Sequence, residues 1–205
     1  MDIQTFQRRI EEHLVQHSGL EPKRDYLGIS AIGKCPRQVV RDFLYGKGEL
    51  SLQAHQMCYA GYLFEHDVMR RLSDIGVANV PALEGMHQTE LVADFDPRLR
   101  GHVDGETIDG DLLEIKSVNR RKFDEVKQTH LALTEHFARI QPYMKYGPWK
   151  VCWIVYVCRE TLEHFVVKVS YLHTQAIKYE LKAQRILAFI DNEMLPPCEC
   201  RWCKD

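Results

Sequence analysis

The sequence predicts an α/β fold, a mixed central sheet flanked by helices, and three observations predict it. Apolar residues recur at helical spacing over 3–17, 52–75 and 173–191. In the middle of the chain the pattern changes to that of strands, over 88–94, 99–107 and 111–118. Later, Val151 to Cys158 is an almost unbroken apolar run, as expected of a strand buried on both faces. Helices interleaved with strands of both kinds give helices packed on a sheet.

Each element has its own signal. Ile3, Phe6, Ile10, Leu14 and Val15 line one face of a first helix. A loop with Gly19, Pro22 and Gly28 follows. Pro36 opens a short helix through Phe43 and Leu44, since proline is tolerated in a first turn, and Gly46 and Gly48 end it. The long helix over 52–75 carries Met57, Tyr59, Leu63, Phe64, Val68, Met69 and Leu72. Asp109-Gly110 marks a hairpin between the strands over 99–107 and 111–118. Helices are expected over 120–127 and 134–147, and a strand over 163–170 as hairpin partner of 151–158. The closing helix carries Ile177, Leu181, Ile186 and Phe189, and Pro196-Pro197 stops further structure before a cysteine-rich end. A single domain over 1–205 is expected, with an N-terminal helical part over 1–50, a core over 51–191 and a tail over 192–205.

The 205 residues are 45% hydrophobic, enough for a real core. Lys plus Arg is 27 against 29 for Asp plus Glu, a formal charge of −2. That excludes a protein that coats nucleic acid by bulk positive charge, so any such contact must come from a local basic groove. Lys34, Arg37 and Arg41, and then Arg120, Arg121, Lys122 and Lys127, are the candidates. No apolar run approaches the ~18 residues of a membrane helix, and the polar start is no secretory signal. A cytoplasmic protein without a membrane partner is expected. There, seven cysteines argue against structural disulfides and for a ligand role for some of them.

The chemistry centres on Leu113-Glu114-Ile115-Lys116-Ser117. On a strand, Glu114 and Lys116 share one face while Leu113 and Ile115 take the other. Leu112 joins the charged side, so that side is not simply solvated. Asp104 reaches the same face only in one register parity. A two-residue turn at 109–110 would pair it with Ile115 and turn it away, whereas a three-residue loop at 109–111 would pair it with Lys116. The odd loop, or a bulge with the same effect, is predicted. Two carboxylates and a lysine suit phosphodiester hydrolysis with a hard divalent ion, Mg²⁺ or Mn²⁺. Asp104, Glu114 and the Ile115 carbonyl would be the ligands, and Lys116 would orient the attacking water. The bland alternative is a solvated charged hairpin.

Asp104 followed by Glu114-Ile115-Lys116 resembles the PD-(D/E)xK nuclease superfamily. The resemblance spans Cys35 to Cys203 and implies a restriction-endonuclease-like core and metal-dependent cleavage of DNA. Gly61-x-x-x-Glu65, followed by His66, is similar to a metal-binding element of RecB-like and phage exonuclease members, with Glu65 the better match by spacing. His136 to Met144 resembles their Gln-x-x-x-Tyr helix, with departures. Arg139 stands four before Tyr143, and Gln141 only two before it. Either Arg139 replaces the glutamine as phosphate ligand or Gln141 serves from a shifted turn, with Pro142 making the helix irregular; the alternative reading of Tyr143 is a core aromatic. Cys35 with Cys198, Cys200 and Cys203 resembles the ligand set of iron–sulfur RecB-like nucleases, including the CRISPR-adaptation exonucleases. That implies a 4Fe-4S cluster clasping the two ends, although four thiolates equally suit a structural zinc. Trp202 would shield that centre, while Cys58, Cys152, Cys158 and Trp153 are expected to be packing residues.

The resemblance favours an exonuclease acting on DNA single strands or duplex ends in recombination, repair or phage DNA processing, with a recombinase or helicase as partner. The rival readings are a non-catalytic DNA- or protein-binding module of the same fold and a structural zinc protein. A thiol redox enzyme is weaker, because Cys200-x-x-Cys203 lies at the chain end rather than at a helix start.

Overall fold

Local signals start most of the helices. In the computed structural model, which describes residues 2–17, 25–48, 50–79 and 89–200, α1 (Ile3–Gln16) begins at Asp2, whose carboxylate accepts the Thr5 N–H at 2.8 Å. After a short β1 (Leu27–Gly28) and a single 3-10 turn, α2 (Pro36–Tyr45) carries Pro36 in its first turn and ends at Gly46, φ 84°. Ser51 caps α3 (Leu52–Asp74). Four strands follow: β2 (Ala78–Asn79), β3 (Thr89–Ala93), β4 (Asp96–Val103) and β5 (Gly105–Thr107). Then come β6 (Leu112–Val118), α4 (Arg120–Thr129, capped by Asn119), α5 (Thr134–Tyr146), β7 (Val151–Cys158), β8 (His164–Ser170) and α6 (His173–Asp191). No helix among the described residues is long and apolar enough to cross a membrane.

The strands form two sheets, one in the order β1-β4-β3 and one in the order β2-β5-β6-β7-β8. Only β6–β7 in the larger sheet is a parallel pair, and α4 and α5 make the crossover that parallel strands require. The alternation read from β6 holds. Leu112 and Val118 pack with Ile154, Tyr156 and the inner faces of α5 and α6, while Leu113 and Ile115 pack with Val155, Val157, Val68 and Met69 beneath α3. β7 contributes to both clusters and is buried on both faces, as its apolar run predicts.

Three expectations are corrected. The strand expected over 99–107 is two strands in different sheets, β4 and β5, with Asp104 at the break. The break has a local cause: the Ile115 N–H, a ladder donor, is taken by the Asp104 carboxylate at 2.7 Å. The odd loop is present but sits one residue early. Thr107 N–H donates to Asp111 O at 2.8 Å, leaving 108–110 as the loop, with Gly110 at φ 81°. The register Gly105↔Leu113 and Glu106↔Leu112 then carries Asp104 opposite Glu114 rather than Lys116, on the same face. Cys58 is exposed and not a packing residue, whereas Cys152 and Cys158 are buried; Met57 and Leu63 share its exposure, because α3 buries a narrower stripe than its apolar content suggests.

Candidate active site

Three elements bring the site together. β6 supplies Glu114 and Lys116, the break after β4 supplies Asp104, and α5 adds Arg139. Glu114 is 0% exposed. Its Oε1 lies 2.7 Å from Lys116 Nζ and 3.0 Å from Arg139 Nη1. Its Oε2 is buried and has no hydrogen-bond partner among the described residues. Lys116 Nζ also donates to Asp104 Oδ2 at 3.2 Å and to the Ile115 carbonyl at 2.7 Å. Two acids and two cations thus share one buried cluster, with one carboxylate oxygen left over.

Burial and neighbours set the charge states. Burial pushes the Asp104 carboxyl up, the Glu114 charge adds to this, and Lys116 offsets only part, leaving it at about 7. Burial also pushes Glu114 up, but Lys116 and Arg139 outweigh it and hold Glu114 below the ordinary carboxylate range. For Lys116, burial favours the neutral amine, and the two carboxylates reverse that. Glu114 is therefore a fixed anion, and Asp104 is the acid whose charge is conditional.

The residues placed near this cluster by the sequence fare differently. Glu65 sits half-buried on α3, and its charge reaches Asp104. One turn earlier, a Cβ on Gly61 would lie 4.0 Å from Ser117 Oγ, which marks where α3 crosses β6. His66 is turned beside Tyr62, ring centroids 6.3 Å apart. Gln141 is corrected: it is 0% exposed, and both ends of its amide are engaged by backbone. Its Nε2 donates to Ser170 O at 3.0 Å and its Oε1 accepts the Leu172 N–H at 2.8 Å, so it clamps the turn from β8 into α6. Tyr143 is a buried aromatic seated over Gly101, where a Cβ would meet its Cε1 at 2.5 Å. Arg139, read from sequence as a stand-in for the motif glutamine, is a partner of Glu114.

Several of the candidate groove cations are engaged within the protein. Arg120 pairs with Asp124 and Glu163, Lys127 with Glu163, and Lys122 with Glu135. Arg37 Nη1 donates to Pro196 O at 3.2 Å, and Arg41 lies 3.4 Å from Asp42. Lys34 is close enough to Arg139 for the guanidinium to disfavour its charge, after burial has done so.

A second centre lies where the start of α2 meets the segment after α6. Cys35, at the start of α2, gathers with Cys198 and Cys200, and their sulfurs all lie within 4.8 Å of one another. It is the one group of three such ligands drawn this close among the described residues. Lys182 Nζ donates to Lys34 O at 2.7 Å and ties α6 to the start of α2, while Arg37–Pro196 and Arg185–Glu199 fasten the tail against those two helices. The three thiols could hold a metal and would then join the N- and C-terminal parts. Cys203 and Trp202 lie outside the described residues.

No model of a known protein family matches the sequence, and no curated protein matches it. Solved structures share its fold. An alkaline exonuclease from Laribacter hongkongensis aligns with a TM-score of 0.62 at 16% identity, over 89% of this chain and 93% of that one. The same exonuclease in complex with dAMP gives 0.63 at 18%, over 82% and 89%. SSO0001 gives 0.61 at 14%, over 99% and 92%. At such identities the likeness is one of fold, and it fits the superfamily that the Asp104, Glu114-x-Lys116 pattern resembles.

Proposed function

We propose that residues 1–205 form one nuclease domain that cleaves DNA with a divalent metal, and that it works as an exonuclease on single strands or duplex ends. The observation that carries this is Glu114 Oε2, a buried anionic oxygen with no hydrogen-bond partner among the described residues, beside a second buried carboxylate. An oxygen like that is costly unless something cationic completes it. The fold shared with an alkaline exonuclease, one form of which binds dAMP, supports the same reading.

Asp104, Glu114 and the Ile115 carbonyl would hold Mg²⁺ or Mn²⁺, with Glu65 in support. When bound, such an ion neutralises phosphate charge and makes a water nucleophilic. The remaining work belongs to the chain. Lys116, next to both carboxylates, orients the attacking water and opposes the charge that develops on phosphate. Arg139 keeps Glu114 ionised and its Oε1 fixed. The thiols of Cys35, Cys198 and Cys200, with Cys203 as fourth ligand, would hold a 4Fe-4S cluster or a structural zinc; thiolates suit both. Recombination, repair or phage DNA processing is the setting, with a recombinase or helicase delivering the ends.

One observation favours a rival. Lys116 and Arg139 both close on Glu114, a self-neutralised network that a non-catalytic DNA- or protein-binding module would also tolerate. The test compares wild type with Lys116→Ala on end-labelled single- and double-stranded DNA, with Mg²⁺ or Mn²⁺ and with EDTA. Metal-dependent cleavage lost in the folded variant is the expected result, and a ladder from one end marks exonuclease action. Equal cleavage by both proteins, or none by wild type with its thiol centre intact, overturns it.

A further inference from the structure

Tyr156 is the register partner of Lys116 across the parallel pair β6–β7. The two side chains therefore stand on the same face of the sheet, one strand apart, about 4.8 Å in the hydrogen-bonding direction. Tyr156 is 0% exposed, and its hydroxyl has two partners. It accepts the Leu133 N–H at 3.1 Å, and it lies 2.9 Å from His136 Nδ1. A phenol has one proton to give, and a backbone N–H cannot receive it. With the phenol donating to His136 Nδ1 while it accepts from Leu133, the neutral ring carries its own proton on Nε2.

His136 is in the first turn of α5, one turn before Arg139 on the same face, and Arg139 reaches Glu114. The charged and titratable groups around it are Lys116 and Glu114 from β6, Glu135 and Arg139 from α5, and Tyr156 from β7. Burial holds the imidazole neutral, down to about 4, and Lys116 and Arg139 reinforce that against the two glutamates. The ring is half-buried, and its Nε2–H makes no hydrogen bond among the described residues.

We propose that His136 is a substrate-binding residue whose tautomer is set by Tyr156, donating its Nε2–H to a phosphate oxygen of a DNA strand lying beside Asp104, Glu114 and Lys116. The proposal rests on the nuclease reading for the identity of the ligand. The fixed donor next to two cations is what an anionic oxygen acceptor complements, and no nearby protein acceptor uses it.

The test has two arms. The first reads the imidazole nitrogens of ¹⁵N-histidine-labelled protein by NMR, without DNA. Wild type is expected to show His136 with its proton on Nε2 only, and Tyr156→Phe to show a mixture of tautomers. The second measures binding of a fluorescein-labelled single-stranded oligonucleotide in EDTA by anisotropy. His136→Ala and His136→Leu are expected to weaken binding by about tenfold, the loss of one hydrogen bond to a charged group. His136→Gln, which keeps an N–H near the ε position, is expected to stay within about threefold. With cleavage conditions restored, KM rises while kcat holds. A wild-type proton on Nδ1, or unweakened binding by a folded His136→Leu, overturns the proposal while the nuclease reading stands. A wild type that neither binds nor cuts DNA overturns that reading and the His136 role with it, whatever the tautomer.

Discussion

Arg139 Nη1 and Lys116 Nζ meet the same oxygen of Glu114, at 3.0 and 2.7 Å, while the other oxygen has no hydrogen bond among the described residues. Removing one cation should therefore leave a buried charge under-compensated. Arg139→Ala is expected to lower stability in EDTA by about 2–4 kcal/mol, since breaking one side of a buried pair costs more than the pair is worth. In a Glu114→Gln background the same change should cost about 1–3 kcal/mol less, the coupling expected of groups in one network. Urea denaturation of the four proteins measures this. Additive losses would mean that the guanidinium serves packing instead.

Asp104 makes a prediction with the opposite sign. Its folded pKa is raised, by burial first, to about 7 from an ordinary 3.8. Between those values the folded protein holds a proton that the unfolded chain has released, so stability falls as pH rises through this window and stays reduced above it. Asp104→Asn keeps an acceptor for the Ile115 N–H but cannot ionise. It is expected to lack that downward slope and to be more stable than wild type by roughly 1–3 kcal/mol at pH 8 without metal. Adding Mg²⁺ should stabilise wild type and not the variant. Parallel pH profiles for the two proteins in EDTA would show that Asp104 does not carry the shift.

How much of this was legible depended on how local each signal is. β7 runs over the same residues as its apolar stretch, because a strand covered on both sides needs no tertiary information to be recognised. Glu114 and Lys116 were legible as neighbours because alternation along one strand places them. The change of sheet at Asp104 was not, since the strand pattern of 99–107 continues across it and periodicity cannot say which partner a strand has. Gln141 was misplaced because a motif comparison ranks spacing, and spacing does not reveal that the amide is caught between Ser170 and Leu172. The pairs Arg139–Glu114 and His136–Tyr156 join residues from α5 and separate strands, and only the packing of that helix on the sheet brings them together.

Gln141 offers a clean separation of structure from chemistry. Gln141→Leu fills similar space but leaves the Leu172 N–H and the Ser170 carbonyl without their amide partner. A loss of about 2–3 kcal/mol is expected from two missing hydrogen bonds that water replaces poorly. Cleavage per folded molecule should be retained, because the amide is spent at the β8–α6 turn. A variant that melts like wild type but no longer cuts would return Gln141 to the site.

The cysteine group ties stability to metal. Cys35 reaches the tail from α2, so a metal shared with Cys198 and Cys200 closes a loop that spans most of the chain. Binding that occurs only in the folded state adds directly to folding stability. Cys35→Ser is expected to lose bound metal, melt lower, and expose the segment after Asp191 to proteolysis. Elemental analysis and the absorption spectrum of anaerobically purified protein identify the centre: brown with iron and sulfide for a cluster, colourless with zinc for a structural site. Arg37 and Arg185 still hold the tail through Pro196 and Glu199, so the variant should remain folded enough to measure. If Cys35→Ser binds metal as fully as wild type, the three sulfurs are neighbours without being ligands, and the tail is held by Arg37, Arg185 and the packing of Leu195.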